Sequence, residues 1–335
     1  MANRLTIPGF VNAHSHAFQR ALRGRTEGGD FWAWREAMLE LAGRQTSERV
    51  RVDYELVYRE MRAAGFTAVG EFHYLGFEQA LAAAEAARAA GITFVLLYAA
   101  YARGGLDRFR QASPAEYLSQ VENLRSRGID VGVAPHSVRA CTPSWLAQIG
   151  RYAAEHDLAL HVHADEQPRE IEECIEEHGI RPIELLAKSS CLGPRTTIVH
   201  ATHADDAELD LLAQSGSRIC VCPTTEANLG DGYVPVERVL ERKIPICIGS
   251  DSNARIDPLE ELRELEGIGR RAALRRNVIE PETLLRIGAA EGAASLGLDS
   301  WPDTEVDLDH PSLAGLDESD VRPALVFGCA ADVFV

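Results

Sequence analysis

The chain has 335 residues, of which 46% are hydrophobic, and its formal net charge is −17 at pH 7. This length allows a sizeable buried core, and the negative charge argues against nucleic acid or an anionic membrane surface as a partner. The 7 cysteines are scattered and form no Cys-x-x-Cys pair, as is typical of reduced core residues. Neither a signal peptide nor a bilayer-spanning apolar run is evident, so we expect a cytoplasmic protein.

Short apolar runs alternate with helical patterns along most of the chain. Such alternation is typical of a parallel sheet covered by helices on both faces, and eight units of this kind predict an α/β fold, the (β/α)8 TIM barrel. An open doubly wound sheet would gather ligand groups at one switch point only, whereas here most runs end in His, Asp, Glu or Tyr. The runs cover residues 5–16, 67–74, 92–98, 131–136, 158–163, 197–200, 219–223 and 244–251.

The pattern changes after Gly297, where the chain becomes acidic and rich in turn residues. Two short strands are predicted further on, at residues 322–327 and 332–335. We therefore expect a barrel domain over residues 1–298 and a short C-terminal β appendage over residues 299–335. The appendage would cap the barrel or join a partner.

Five polar side chains lie at the predicted carboxyl ends of barrel strands, where the active sites of such barrels are built. His14 and His16 share one face of the first strand, because side chains along a strand alternate between faces. His163, His200 and Asp251 end later strands. A His-x-His pair alone fits two ordinary histidines equally well, but imidazoles combined with a carboxylate suit Zn²⁺ or Fe²⁺ and leave a position open for water.

Glu166 follows His163 by three residues. At that spacing its carboxyl group can reach a water molecule or a substrate in the site, as a proton shuttle must. The neighbouring Asp165 precedes Pro168 and a helical pattern, so we expect Asp165 to cap that helix.

Together, Pro8 to His16, His163-x-x-Glu166, His200 and Ser250-Asp251 resemble the amidohydrolase superfamily, in its mononuclear deaminase branch. Longer motifs are similar to the N-formimino-L-glutamate deiminases of histidine degradation. The most specific motifs are those at residues 31–35 and 224–232. The full set of similar motifs covers residues 16–20, 31–36, 71–74, 135–140, 222–232 and 249–252.

The resemblance implies one metal ion per subunit, zinc or alternatively Fe²⁺, held by His14, His16, His163 and Asp251. Binuclear members of the superfamily often bridge two metals with a carboxylated lysine at a strand end, and neither lysine of this chain ends a predicted strand. The site is therefore predicted to be mononuclear.

The implied reaction is hydrolytic deamination, in which a metal lowers the pKa of a water molecule. His200 and Asp251 would accept the proton of that water, and Glu166 would protonate the leaving nitrogen. His200 could instead be a direct metal ligand, and the sequence leaves both roles open.

The implied substrate, N-formimino-L-glutamate, is small and anionic, with an amidine at one end and two carboxylates at the other. Arg35 and Arg139 are the expected carboxylate anchors, because guanidinium pairs bidentately with carboxylate. Gln19, Tyr74 and His136 would supply further hydrogen-bonding groups.

The chain departs from the family at its ends, where the strands that normally form a small β-sandwich are largely missing. Catalytic positions are intact, and we expect a homodimer. The first alternative is a related deaminase acting on a purine, pyrimidine or triazine ring, whose pocket would need aromatic and amide groups in place of Arg35 and Arg139. The second is an inactive binding or scaffold barrel, of which loss of a metal ligand would be the signature.

Overall fold

The structure is a computed structural model that describes residues 3–335, without the side chain of residue 318. Strands β2 to β9 as defined below are hydrogen-bonded in sequence order into one parallel sheet of eight strands. The strands of this part of the chain are β1 (Arg4–Pro8), β2 (Phe10–Ser15), β3 (Phe66–His73), β4 (Thr93–Ala100), β5 (Val131–Pro135), β6 (Leu160–Ala164), β7 (Thr196–His200), β8 (Arg218–Val221), β9 (Ile246–Ile248) and β10 (Asp303–Asp307).

Helices cover the outside of this sheet, and several begin with proline in the first turn after a polar cap. Before Pro114, for example, the Ser113 hydroxyl accepts a hydrogen bond from the Glu116 backbone N–H at 3.1 Å, which satisfies a donor that the helix itself cannot. The helices are α1 (Phe31–Gly43), α2 (Ser47–Ala63), α3 (Phe77–Ala90), α4 (Pro114–Ser126), α5 (Pro143–Glu155), α6 (Pro168–His178), α7 (Pro182–Lys188), α8 (Asp206–Ser215), α9 (Pro223–Leu229), α10 (Val236–Glu241), α11 (Pro258–Ala273), α12 (Pro281–Arg286), α13 (Gly292–Leu296) and α14 (Glu318–Gly328).

The two ends of the sheet meet where β9 approaches β2. The backbone N–H of His16 donates to the carbonyl oxygen of Asp251 at 2.8 Å, and the N–H of Asp251 donates to the carbonyl oxygen of His14 at 3.0 Å. These bonds turn the sheet into a nearly closed barrel. The predicted (β/α)8 TIM barrel is therefore confirmed, and the closing bonds place the first and last metal-ligand candidates side by side.

The first predicted strand, residues 5–16, is divided in two. β1 pairs with β10 in an antiparallel sheet of two strands outside the barrel, and β2 enters the barrel. The division falls at Gly9, where a Cβ atom would lie 2.1 Å from Oγ1 of Thr67. A side chain at this position has no room, so the chain can turn closely past β3 only with glycine here.

The prediction of two strands at residues 322–327 and 332–335 is wrong. Residues 322–327 lie in α14, and residues 331–333 form a 3₁₀ turn. Val321 and Leu325 are both buried, and their spacing of four residues is that of one helix face. Within the described chain, the strand-like pairing of this region is a single bridge between Phe334 and Val306. The domain boundary at residue 298 stays a prediction.

The core is continuous between barrel and helices, and all 7 cysteines are buried and free of disulfide bonds. Among the helices of residues 3–335, none is both long and apolar enough to cross a lipid bilayer.

Candidate active site

Four ligand atoms converge at the carboxyl end of the barrel. The Nε2 atoms of His14, His16 and His163 lie 3.1–3.5 Å from one another. Oδ1 of Asp251 lies 3.3 Å from Nε2 of His14 and 3.4 Å from Nε2 of His16. Zinc bonds of about 2.0–2.1 Å arranged as a tetrahedron would hold ligand atoms about 3.3 Å apart, so these residues fit a single divalent ion.

Hydrogen bonds made by the opposite ring nitrogens support this interpretation. Nδ1 of His16 lies 2.8 Å from the carbonyl oxygen of Phe72, and Nδ1 of His163 lies 3.1 Å from that of His136. A carbonyl oxygen can only accept, so each Nδ1 carries the proton and each Nε2 presents a lone pair. Lone pairs this close repel one another unless a cation lies between them.

Burial keeps the clustered imidazoles neutral. It lowers the pKa of His14 to about 3 and also lowers the pKa values of His16 and His163. Burial acts to raise the pKa of Asp251, but the neighbouring histidines outweigh it and hold that pKa below its usual range. Neutral imidazoles and an ionised carboxylate are the forms that bind a metal.

A second group of side chains surrounds His200 beside this cluster. Nε2 of His200 lies 3.6 Å from Oε1 of Glu166 and 3.9 Å from Oδ2 of Asp251, while Nδ1 lies 3.3 Å from Oε1 of Glu226. Burial disfavours the charged imidazole, but Glu166, Glu226 and Asp251 together raise the pKa of His200 to about 10. Burial also raises the pKa of Glu166. The arrangement can therefore hold and transfer protons.

Three residues that follow or end barrel strands at the site have a left-handed backbone. Asp165, His200 and Asp251 have φ values of 56°, 78° and 42°, in the left-handed region that non-glycine residues seldom adopt. Strain of this kind is found at active sites and ligand clamps, where the surrounding structure holds it in place.

A cavity of about 320 Å³ opens onto the cluster, and His16, His163, Glu166, His200 and Asp251 line it. His14 is fully buried. The structure thus brings together the predicted metal ligands and proton-transfer residues. The predicted substrate-binding residues line the same cavity, namely Gln19, Arg35, Tyr74, His136 and Arg139.

The predicted substrate-binding residues offer both charge and neutral hydrogen-bonding groups. Nε2 of Gln19 donates to the Tyr74 hydroxyl at 3.0 Å, and the His136 ring stacks on that of His163 with ring centroids 4.7 Å apart. Nη2 of Arg139 lies 3.7 Å from Oε2 of Glu166. Arg35 reaches the cavity from α1, which forms one wall.

Several residues of the site were not predicted from the sequence. Glu226 contacts the ring of His200. It was not assigned a role from the sequence, although it lies within the motif at residues 222–232. Trp32 and Arg169 line the cavity, and the Arg169 guanidinium lies 4.3 Å from the centroid of the Trp32 ring. Arg103 also lines the cavity. The motifs at residues 31–36 and 222–232, which contain Trp32 and Glu226, gave the only signal.

The predicted capping role of Asp165 is wrong. The N-cap of α6 is Gln167, and within the described residues both carboxylate oxygens of Asp165 are buried without a hydrogen-bond partner. The left-handed backbone at Asp165 leaves its side chain in the interior instead of beside the helix start. Burial, reinforced by Glu208 and Glu170, raises the pKa of Asp165 well above its ordinary value.

Sequence comparisons relate the chain to known enzymes. The family model described as amidohydrolase family matches residues 5–300. A formimidoylglutamate deiminase of Pseudomonas aeruginosa is 38% identical over 328 residues, which cover 87% of this chain and 72% of that protein. A 5-methylthioadenosine/S-adenosylhomocysteine deaminase of Haloarcula marismortui is 31% identical over 303 residues, which cover 88% of this chain and 69% of that protein.

Solved structures share the fold. An amidohydrolase from Brucella melitensis aligns with a TM-score of 0.88 at 32% identity, covering 98% of this chain and 84% of that chain. An adenosine deaminase from Xanthomonas campestris with bound zinc aligns with a TM-score of 0.90 at 23% identity, covering 99% of this chain and 78% of that chain. At the lower identity the similarity concerns the fold alone.

Proposed function

Because the chain belongs to the amidohydrolase family, we propose that it is a metal-dependent deiminase acting on a linear amidine. The proposed reaction converts N-formimino-L-glutamate and water into N-formyl-L-glutamate and ammonia, a step of histidine degradation. The single observation that carries the proposal is that Arg35 and Arg139, the two expected carboxylate anchors, line the cavity that opens onto the predicted metal ligands. The 38% identity to a formimidoylglutamate deiminase supports it, since formimidoylglutamate is the same compound.

The two arginines match the charge of this substrate. Arg35 and Arg139 lie on the cavity wall, whereas the whole chain carries a net charge of −17. A dicarboxylate would enter such an acidic protein only where local cations offset the overall field. Guanidinium groups recognise carboxylates through paired hydrogen bonds, so the wall would orient the amidine end toward the ligand cluster.

The proposed chemistry assigns each proton to a residue. A divalent ion held by His14, His16, His163 and Asp251 would supply Lewis acidity and lower the pKa of a water molecule toward neutrality. The ionised Asp251 carboxylate accepts the proton that the water loses as its oxygen attacks the amidine carbon, and His200, which the neighbouring carboxylates keep protonated, orients that oxygen. Glu166 protonates the imino nitrogen as the tetrahedral intermediate forms. The proton held by Asp251 then passes to the resulting amino group, the ionised Glu166 takes the proton of the hydroxyl group, and the C–N bond breaks to release ammonia and leave the formyl C=O.

Further parts of the proposal come from the sequence. We propose zinc as the metal, with one ion per subunit and Fe²⁺ as the alternative. A homodimer and a cytoplasmic location belong to the same proposal. Metal analysis of the purified protein tests the identity and number of the metal ions. Sedimentation equilibrium tests the homodimer.

Substitution of a carboxylate anchor tests the substrate assignment. Arg139→Ala is expected to raise KM for N-formimino-L-glutamate about 10- to 100-fold, because hydrogen bonds to a charged group contribute about 1.5–3 kcal/mol. Steady-state ammonia release measures the effect. Arg151→Ala on the exposed side of α5 is the matched control. An Arg139→Ala enzyme with the KM of the wild type would refute the anchor and the dicarboxylate substrate with it.

A ring deaminase is the second candidate. The cavity lining includes the aromatic residues Phe31, Trp32 and Trp34, which a purine could stack against. The 31% identity to a 5-methylthioadenosine/S-adenosylhomocysteine deaminase also favours it. This candidate predicts that a purine nucleoside is turned over and that Arg139→Ala leaves its KM unchanged.

A further inference from the structure

Glu170 is a fully buried carboxylate next to the cavity that the proposed chemistry does not use. It lies in the first turn of α6, and its side chain has 0% exposure. Oε2 accepts a hydrogen bond from the backbone N–H of Glu166 at 3.1 Å. Oε1 is buried and has no hydrogen-bond partner among the described residues. A buried carboxylate oxygen without a partner is costly, so its surroundings require an explanation.

The free oxygen of Glu170 faces the Arg139 guanidinium. Nε of Arg139 lies 3.9 Å from Oε1 of Glu170, and Nη2 lies 3.7 Å from Oε2 of Glu166. Within residues 3–335, the Arg139 side chain donates no hydrogen bond. Two carboxylates on α6 and the turn before it therefore flank the guanidinium without binding it at hydrogen-bond distance.

The backbone at Arg139 is fixed separately. Nε of Arg103 donates to the carbonyl oxygen of Arg139 at 2.9 Å, and Arg103 is itself paired with both carboxylate oxygens of Glu177 at 2.7 and 2.8 Å. The base of the Arg139 side chain is thus anchored, whereas its charged end depends on Glu166 and Glu170. Because Glu166 is assigned to proton transfer, Glu170 is the carboxylate free to hold the guanidinium throughout the reaction.

We propose that Glu170 is a positioning residue that holds Arg139 at the cavity wall, ready to bind a carboxylate of the substrate. Its second oxygen fixes the backbone of Glu166 at the same time, so one buried carboxylate aligns the substrate anchor with the proton donor. This inference rests on the proposed function, in which Arg139 binds a carboxylate. Burial raises the pKa of Glu170 and the nearby Arg139 charge opposes that rise, as expected if the two groups interact.

Glu170→Gln separates this role from simple helix capping. The glutamine amide keeps an oxygen that can accept from the Glu166 N–H, but it removes the charge that faces Arg139. A residue that only caps α6 would tolerate the change. A residue that positions Arg139 would weaken substrate binding and leave the chemical step nearly intact.

The kinetic test compares Glu170→Gln with Glu172→Gln, an exposed residue on the same helix. We expect Glu170→Gln to raise KM for N-formimino-L-glutamate about tenfold, as for loss of one ion pair near 1.4 kcal/mol, with kcat within about twofold of the wild type. Glu172→Gln should change neither constant. In an Arg139→Ala background, Glu170→Gln should have no further effect on KM, because coupled residues do not act additively.

Independent effects of the two substitutions, or an unchanged KM in Glu170→Gln, would overturn the proposal. If Glu170→Gln does not fold, Glu170→Asp takes its place, and its shortened but still charged side chain should raise KM by a smaller factor. If the wild type does not act on N-formimino-L-glutamate, the proposed function fails on its own. A crystal structure of Glu170→Gln then decides the positioning role: a displaced Arg139 guanidinium supports it, and an unmoved one contradicts it.

Discussion

The carboxylate of Glu226 contacts the His200 ring from the side away from the cavity. Oε1 of Glu226 also accepts a hydrogen bond from the backbone N–H of Cys222 at 2.9 Å, which ties the carboxylate to the residue that follows β8. The contact orients the imidazole and favours its protonated form. Carboxylates that orient a functional histidine typically change activity 10- to 100-fold when they are removed.

Glu226→Gln should therefore lower kcat about 10- to 100-fold. Glu226 is not among the clustered ligand atoms, so metal content should stay at the wild-type level. Ammonia release and elemental analysis of the same preparation give both quantities. Glu241→Gln, an exposed change at the end of α10, serves as control. A Glu226→Gln enzyme with normal kcat would exclude the orienting role.

Glu71 gives stability a pH dependence that can be measured apart from activity. Burial raises the pKa of Glu71 from 4.5 to about 8, and its Oε1 accepts from the backbone N–H of Ala17 at 2.8 Å. The unfolded chain releases this proton above about pH 4.5, whereas the folded chain keeps it until about pH 8. The contribution to stability is therefore complete below pH 4.5 and is lost as the pH rises to 8.

Glu71→Gln keeps the acceptor for Ala17 and removes the titration. The difference in free energy of unfolding between Glu71→Gln and the wild type should increase in favour of the variant between pH 5 and 7.5, by about 1.4 kcal/mol for each pH unit. Urea unfolding at the two pH values measures the difference. Glu78→Gln, exposed on α3, should show no such trend. An equal difference between Glu71→Gln and the wild type at both pH values would contradict the assignment.

At the residue level, the sequence predicted side chains whose positions follow from strand ends. His14, His16, His163 and Asp251 each end a barrel strand, so topology alone gathers them. The contacts of Glu170 and Glu226 could not be predicted in this way. Each depends on how one helix start turns back toward a strand, and that turn is set by packing instead of by local sequence pattern.

At the level of elements, the approach of β9 to β2 determines the metal cluster. A Cβ atom on Gly249 would lie 2.7 Å from the carbonyl oxygen of His14 and 2.8 Å from its Cβ. The N–H of Ser250 donates to Oδ1 of Asn12 at 3.0 Å, which ties the two strands together one residue before Asp251. Only glycine allows the backbones to come this close.

Gly249→Ala should therefore force β9 away from β2 and move Asp251 from the histidines. We expect a loss of about 1–3 kcal/mol in the free energy of unfolding, as for overpacking elsewhere, and a weaker affinity for zinc. Gly193→Ala is the matched control, because nothing lies within 4 Å of the added Cβ. Denaturant unfolding and competition with a chelator measure the two effects. Zinc affinity unchanged in Gly249→Ala would refute the claim that strand closure sets the cluster.

Elements were predicted well where burial on both faces leaves an apolar run between helices. The prediction of strands in the C-terminal segment was wrong because the apolar run there is short enough to suit either a strand or a helix. Packing against α11 decided in favour of the helix: Nε of Arg263 donates to the carbonyl oxygen of Val326 at 2.9 Å. The division of the first strand also depended on a distant contact, between Gly9 and β3.

On the scale of the whole molecule, an acidic chain lines one cavity with the arginines that we assign to substrate binding. The barrel places neutral histidines at its centre, carboxylates beside them and arginines at the cavity wall. This order matches a substrate with a reactive amidine and a negatively charged tail. A ring substrate would make little use of the arginines, so relative turnover of the two substrate classes separates the two functions.

The most direct test is ammonia release by the zinc-loaded wild type, measured with N-formimino-L-glutamate and with 5′-methylthioadenosine, before and after removal of the metal by a chelator. We expect turnover of N-formimino-L-glutamate that is lost with the metal and restored by zinc, with N-formyl-L-glutamate as product and little or no ammonia from the nucleoside. Turnover of the nucleoside alone, or a folded, zinc-replete protein that releases no ammonia from N-formimino-L-glutamate, would contradict the proposed function.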